Sequence, residues 1–251
     1  MQSFKRYITE MTAADKYELD VAEYIQSLAV NATRPKVGSK YSDVLIDHRG
    51  KKVWLEVKMN HTDNLGNTRV FWDGKKWDAS KEESGGLSPF KQFCVDTLNK
   101  STVAQKFLKD LEDFANIQGI KVPTTLGGLK DPKAVPLDVM KEFFKTRTRY
   151  ILKTPSMDMG KLVTAHYLEG KAEPAYYMQA ADDFYMIGRK NPLCVPSDVP
   201  LLSGTGEFKM RVSTRSRFYE VQPEAKIMKM PASKYSLKPG TKKKNPFERI
   251  L

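Results

Sequence analysis

Asp43, Glu56 and Lys58 are residues whose types and spacing suit chemistry on a phosphodiester. Twelve residues separate the two acids, and Lys58 follows Glu56 at the second place. Side chains alternate along a strand, so Trp54, Glu56 and Lys58 project from one face, and Val53, Leu55 and Val57 from the other, toward a core. Two carboxylates on neighbouring strands can hold a hard divalent cation that polarises a phosphate. A lysine beside them orients or activates water and offsets charge.

Charged residues make up 29% of the chain, so a Glu-x-Lys triplet also arises by chance. A second copy, Glu207 and Lys209, follows Asp198. Pro200, Gly204 and Gly206 interrupt that copy and make poor strand context. The first copy has β-branched and aromatic neighbours on both flanks and a turn over Asp47, His48, Arg49 and Gly50. The first copy is therefore the expected site. The competing interpretation is an ordinary surface ion pair.

Elements upstream must position these groups. Thr12 and Asp15 have the spacing of a capping box that opens a helix. Tyr17, Val21, Tyr24, Ile25 and Leu28 recur on one helical stripe. Glu18 lies at one edge of the stripe, about 100° from Tyr17, and Asp20 flanks the other. Geometry alone does not choose between them. The loop that follows carries Arg34, Lys36 and Lys40 into the strand that holds Asp43, and these cations suit phosphate contacts.

The helix with Glu18, the basic Gly-Ser loop, Ser42, Asp43 and Val44, the hairpin turn and Leu55 to Lys58 together resemble the PD-(D/E)xK nuclease superfamily. The order is similar to that in Holliday-junction-resolvase-like and phage nucleases. The resemblance spans residues 12–80, with Ser42 in the place of the family's proline. It implies a restriction-endonuclease-like α/β fold: a mixed central sheet flanked by helices. It also implies Mg2+ or Mn2+ held by Asp43, Glu56 and the Val57 carbonyl, with Lys58 as the catalytic lysine and Glu18 as the helix glutamate.

Further along, residues 69–77 read as a hairpin with a type I′ turn at Asp73 and Gly74. It brings Trp72 and Trp77 together as cross-strand packing rather than as a platform for bases. Helical periodicity covers 89–99, 101–116 and 137–148, a helical insertion spanning 86–150. Its basic end carries Lys141, Lys145, Arg147 and Arg149. Residues 175–179 with 183–188, and 208–215 with 218–222, read as two more hairpins. In the latter, Lys209, Arg211, Ser213 and Arg215 alternate with apolar residues. Arg211, Arg215 and Arg217 at the turn are thus candidates for contacting phosphate, against a solvated outer face.

The expected organisation is one nuclease domain over residues 1–235, with core strands returning at 159–230, and a basic tail over 236–251 bearing Lys242 to Lys244. At 251 residues and a net charge of +12, the chain is large enough for a sizeable core and suits a polyanionic partner, here DNA. Two cysteines, Cys94 and Cys194, make neither a disulfide framework nor a zinc spacing. His48, His61 and His166 have no metal-binding spacing; His61 follows closely on Lys58 but reads by default as a loop residue. No signal-peptide pattern or bilayer-length apolar run is evident, so the expected setting is cytoplasmic. Residues 1–10 are similar to a short leader on proteins of large tailed bacteriophages, which implies a phage protein that acts in the bacterial host or is packaged with the virion; a short docking helix is the plain alternative. The expectation is a Mg2+-dependent DNA nuclease, with endonuclease, exonuclease and junction resolvase, and the oligomeric state, left open by the sequence. The rival is a non-catalytic, basic DNA-binding or virion protein.

Overall fold

The computed structural model describes residues 11–35, 41–72, 75–79, 87–117, 119, 150–215 and 218–248. Its elements begin with α1 (Ala13–Ser27), β1 (Asn31–Thr33), β2 (Val44–His48) and β3 (Lys51–Lys58). There follow β4 (Gly66–Asn67), β5 (Val70–Trp72), β6 (Trp77–Ala79), α2 (Pro89–Lys100) and α3 (Thr102–Ile117). After β7 (Tyr150–Asp158) come the short α4 (Gly160–Val163) and a π-helical turn, Thr164–Leu168. The last strands are β8 (Ala175–Ala180), β9 (Asp183–Met186), β10 (Thr205–Arg215) and β11 (Phe218–Lys229). Where the sequence suggested one domain, the chain divides into two compact units. The first holds Met1–Asp63, Met159–Gly204 and Lys229–Leu251; the second holds Asn64–Asp158 and Thr205–Met228.

In the first unit, α1 opens with the expected capping box. The Asp15 amide donates to Thr12 Oγ1 at 3.1 Å and the Thr12 amide to Asp15 Oδ2 at 3.0 Å, which satisfies two amides the helix start would leave open. Val21, Ala22 and Ile25 are buried along one stripe, with Tyr17 and Tyr24 packed at its margin. β2 and β3 pair as a hairpin that turns at Arg49 and Gly50, both left-handed at φ 52° and 77°. A two-residue turn of this kind matches the twist of the strands it joins.

The strand order is β1-β2-β3-β8-β9, antiparallel throughout except for the parallel β3–β8 pair. The first unit is thus a mixed five-stranded sheet flanked by helices, in a mixed α/β chain. β3 lies at its centre and is buried on both faces. Val53, Leu55 and Val57 join Val21 and Ile25 in the core, while Trp54 and Glu56 are buried on the opposite side. The expected hairpin of residues 175–188 forms as β8 and β9.

The C-terminal segment corrects the expectation of a basic tail. Leu237 and Phe247 are fully buried in the core cluster, and Phe247 meets Phe184 edge to face at 5.9 Å between centroids. The buried Gln179 amide fastens the segment, accepting from the Leu237 amide at 2.7 Å and donating to Ser236 Oγ at 3.1 Å. The lysines that dominate its composition stay on the outside at Lys238, Lys242 and Lys244. Two buried apolar residues decide its place.

The second unit carries the sheet β6-β5-β11-β10-β7, with β4 against β11. Helices α2 and α3 form where the periodicity placed them; the helix expected over 137–148 lies outside the described residues. Trp72 pairs with Trp77 across β5 and β6; the turn expected at Asp73 and Gly74 lies outside the described residues. Trp77 is fully buried, and its backbone is clasped by the Asn99 side-chain amide at 2.8 and 2.9 Å, a packing role. Among the described residues, no helix is long and apolar enough to cross a membrane.

Because Phe247 is a core residue, Phe247→Ala should cost about 3–5 kcal/mol of stability in urea denaturation. Truncation after Tyr235 should abolish cooperative unfolding. An unchanged transition in either protein would return the segment to the role of a tail.

Candidate active site

The hairpin of β2 and β3 brings together the acids the sequence singled out. The β2 ladder begins at Val44, opposite Leu55, so it does not extend to Val57. Asp43, just ahead of the strand, fills the gap: its Oδ2 accepts the Val57 amide at 2.8 Å. Glu56 and Lys58 share one face of β3, and Lys58 Nζ lies 2.5 Å from Glu56 Oε1. Glu56 is only 3% exposed, and its other oxygen, Oε2, is buried with no hydrogen-bond partner among the described residues. Ser42 Oγ is in the same condition. That hydroxyl is close enough to favour the Glu56 anion without completing a hydrogen bond.

The electrostatics follow from burying so much charge in one place. Burial, and then repulsion from Glu56, push the Asp43 carboxyl up to about 7, although Lys58 opposes the rise. Burial would raise Glu56 too, but the ammonium charges of Lys58 and Lys171 outweigh it and hold Glu56 below the usual carboxylate range. Lys58 suffers the same desolvation, yet Glu56, Tyr167 and Asp43 keep it charged well above the usual lysine range. Near neutral pH the cluster therefore contains a fixed Glu56–Lys58 pair and an Asp43 that is only partly ionised.

Glu18, rather than Asp20, is the helix acid whose charge is felt at Asp43; that of Asp20 is felt at Tyr17. Glu18 Oε2 accepts from Arg34 Nε at 2.6 Å, and Asp15 takes the other side of the same guanidinium. Arg34, expected to face phosphate, is thus committed to two carboxylates of its own chain. Lys36, Lys40 and Arg217 lie outside the described residues, as do the leader 1–10 and the basic helix end at 141–149. Arg211 and Arg215 lie on β10 of the second unit. In the rival Glu-x-Lys copy, Asp198 sits in the first unit, paired with Lys234 and with the Tyr235 hydroxyl at 2.6 Å, whereas Glu207 belongs to the second.

Three further residues reach the site from the π-helical turn and the loop after it. Tyr167 is fully buried, and burial followed by the Glu56 charge drives its phenol well above the usual range. His166 is pushed down to about 4, first by burial and then by Lys171, and is neutral at physiological pH. Lys171 donates to the Tyr41 carbonyl at 3.1 Å and stands 5.7 Å from the Tyr167 ring centroid. Gly170 lets the chain double back, since a Cβ there would stand 2.8 Å from the Ala165 carbonyl. Around the rim, Tyr41 packs on Trp54 at 5.1 Å and the Trp54 indole donates to Glu173 at 2.8 Å. No spacing in the sequence links these residues to β3; only the parallel return of β8 does.

His61 is not a free loop residue. Its Nε2 lies 2.7 Å from Asp183 Oδ2, and Asp182 lies in the same group. The cation of that second cluster is Lys243, 2.6 Å from Asp183 and 3.2 Å from Asp182.

Asp43 and Glu56 together can hold a hard divalent cation. Their donors are carboxylate oxygens, one of them buried and without a hydrogen-bond partner among the described residues. The raised Asp43 carboxyl also has a consequence for stability. An acid with a higher folded than unfolded pKa binds its proton more tightly when folded, so stability falls as pH rises from about 4 to about 7. In chelator, Asp43→Asn should match the wild type near pH 4 and be more stable above pH 7, by at most about 4 kcal/mol. Urea denaturation at both ends of the range checks this. Mg2+ or Mn2+ should raise the wild-type melting temperature above pH 7 and leave that of Glu56→Gln unchanged.

Comparison with protein-family models, curated proteins and solved structures found no match to this chain.

Proposed function

We propose that the chain is a metal-dependent deoxyribonuclease of the PD-(D/E)xK type, with its first unit as a restriction-endonuclease-like core. The observation that carries this reading is the Glu56 carboxylate, buried at the sheet's centre with Oε2 unpartnered beside an Asp43 that resists ionisation. Chain order supports it: the helix acid Glu18, then Asp43 ahead of β2, then Glu56 and Lys58 on β3. The net charge of +12 suits DNA.

Asp43 and Glu56 would hold Mg2+ or Mn2+, which when bound offsets charge on the phosphate and acidifies water. Lys58 stays an ammonium at neutral pH, so it donates hydrogen bonds to water or phosphate and takes no proton. Glu56 fixes its direction through Oε1. Asp43 is tied to the Val57 amide and thereby to the backbone of β3, which keeps both carboxylates on one rigid hairpin. Glu18, held by Arg34, adds negative charge that is felt at Asp43.

The close Glu56–Lys58 pair also admits a non-catalytic reading, as a structural ion pair. Burial weighs against that, because a buried pair contributes little net stability and an unpaired carboxylate oxygen adds a desolvation penalty.

Cleavage of linear, circular or branched DNA should require Mg2+ or Mn2+ and stop in chelator, with Ca2+ bound but unproductive. Lys58→Ala and Glu56→Gln should each lower the rate by about 10²-fold or more while circular dichroism stays native. Lys209→Ala should leave cleavage intact. Cleavage that persists in chelator, or an active Lys58→Ala variant, would overturn the assignment.

A further inference from the structure

The register of the sheet places a second chemical group beside Lys58. Lys58 pairs with Ala180 across β3 and β8, and Ala180 pairs with Asp183 across β8 and β9. Directly opposed residues point to the same face, so Lys58, Ala180 and Asp183 form one row. The adjacent row is Glu56, Met178 and Tyr185. Asp183 therefore shares the face of Glu56 and Lys58, two strand spacings or about 9.5 Å from Lys58 between Cα atoms. Only the methyl group of Ala180 stands between them in the row.

His61 closes onto that row from the end of β3. The segment is fixed by a tight turn in which the Asn60 amide donates to Asp63 Oδ2 at 2.9 Å and the Asp63 amide to the Asn60 carbonyl at 3.1 Å. The Ala181 amide donates to the Lys58 carbonyl at 2.8 Å, tying the β8–β9 turn to the same place. Asp183 is 7% exposed and anchored on its other oxygen by the Ser233 amide at 3.0 Å and Lys243 at 2.6 Å. An ionised carboxylate only accepts hydrogen bonds, so the nitrogen facing it, Nε2, carries the hydrogen. Nδ1 is then free to act outward, on a side chain that is 39% exposed. The charged and titratable groups around the imidazole are Asp182, Asp183, Lys243 and, in the same row, Lys58; Tyr17 donates to the Ala181 carbonyl nearby.

We propose that His61, oriented by Asp183, is the general acid that protonates the ester oxygen leaving phosphorus. This rests on the nuclease reading above and adds a proton donor on the sheet face that carries Glu56 and Lys58. In the step, the oxygen of water forms a bond to phosphorus and releases its proton to solvent. The bond from phosphorus to the ester oxygen breaks, its electron pair stays on that oxygen, and the oxygen takes the Nδ1 proton of the imidazolium. Solvent reaches the half-exposed ring and returns the proton. Asp183 is a positioning residue, acting through His61.

The test uses the full chain with Mn2+ and two matched DNA duplexes, one ordinary and one with sulfur replacing the bridging ester oxygen at the cleaved bond. A thiolate leaves without protonation, so the second duplex has no need of a general acid. His61→Gln and His61→Asn should each lower kcat on ordinary DNA by about 10²-fold or more and leave cleavage of the sulfur duplex near the wild-type rate. Asp183→Asn should show a weaker version of the same difference. Equal losses on both duplexes in the His61 variants would overturn this role and leave the nuclease reading standing, as would no loss on either. If the wild type cleaves neither duplex, the nuclease reading fails and this proposal fails with it.

Discussion

A carboxylate buried in the middle of a sheet is the constraint around which the first unit is arranged. Glu56 sits on a strand covered on both faces, where water is not available to solvate it. The chain offsets this with the Lys58 ammonium at contact distance and a second ammonium, Lys171, close enough to act on the same group. Even so, one oxygen of Glu56 is without a partner, and the neighbouring Asp43 is pushed toward its neutral form. A chain folding for stability alone would fill this position more safely with an apolar residue of similar volume. Such concentrations of perturbed groups are where function is sought first.

The path of the backbone explains how the surroundings of Glu56 are assembled. β3 pairs on one side with β2, its hairpin neighbour, and on the other with β8, a strand that returns only after most of the second unit has been made. A parallel partner cannot be reached by a tight turn and needs a long crossover. That crossover ends in α4 and the π-helical turn, which carry Tyr167 and His166 to the Glu56 face. One extra residue in a helical turn redirects the side chains that follow, and such turns recur at functional sites. The C-terminal segment completes the frame: Leu237 and Phe247 anchor it in the core, and Lys243 delivers its charge to Asp182 and Asp183.

Much of the first unit was legible in the residues themselves, because its signals are local. The capping box at Thr12 and Asp15, the stripe from Tyr17 to Ile25, the alternation along β3 and the turn at Arg49 and Gly50 each depend on neighbours a few positions away. Distant partners were not legible. Lys242, Lys243 and Lys244 looked like solvated charge because composition does not reveal that Leu237 and Phe247 find a core.

The sequence alone determined which residues could carry chemistry here: the types and spacing of Asp43, Glu56 and Lys58, and the strand alternation that aligns the last two on one face. It left Glu18 and Asp20 equivalent, because a helix wheel records direction but not what stands opposite. Tertiary structure made that choice, since only the packing of α1 brings Glu18 within electrostatic reach of Asp43. It also decided that Arg34 pairs with Glu18 and Asp15 rather than facing open solvent, that Tyr167 and Lys171 belong to Glu56, and that His61 meets Asp183 in the row of Lys58. The contacts of Tyr167, Lys171 and His61 join segments far apart in the chain, and they follow from the parallel pairing of β8 with β3.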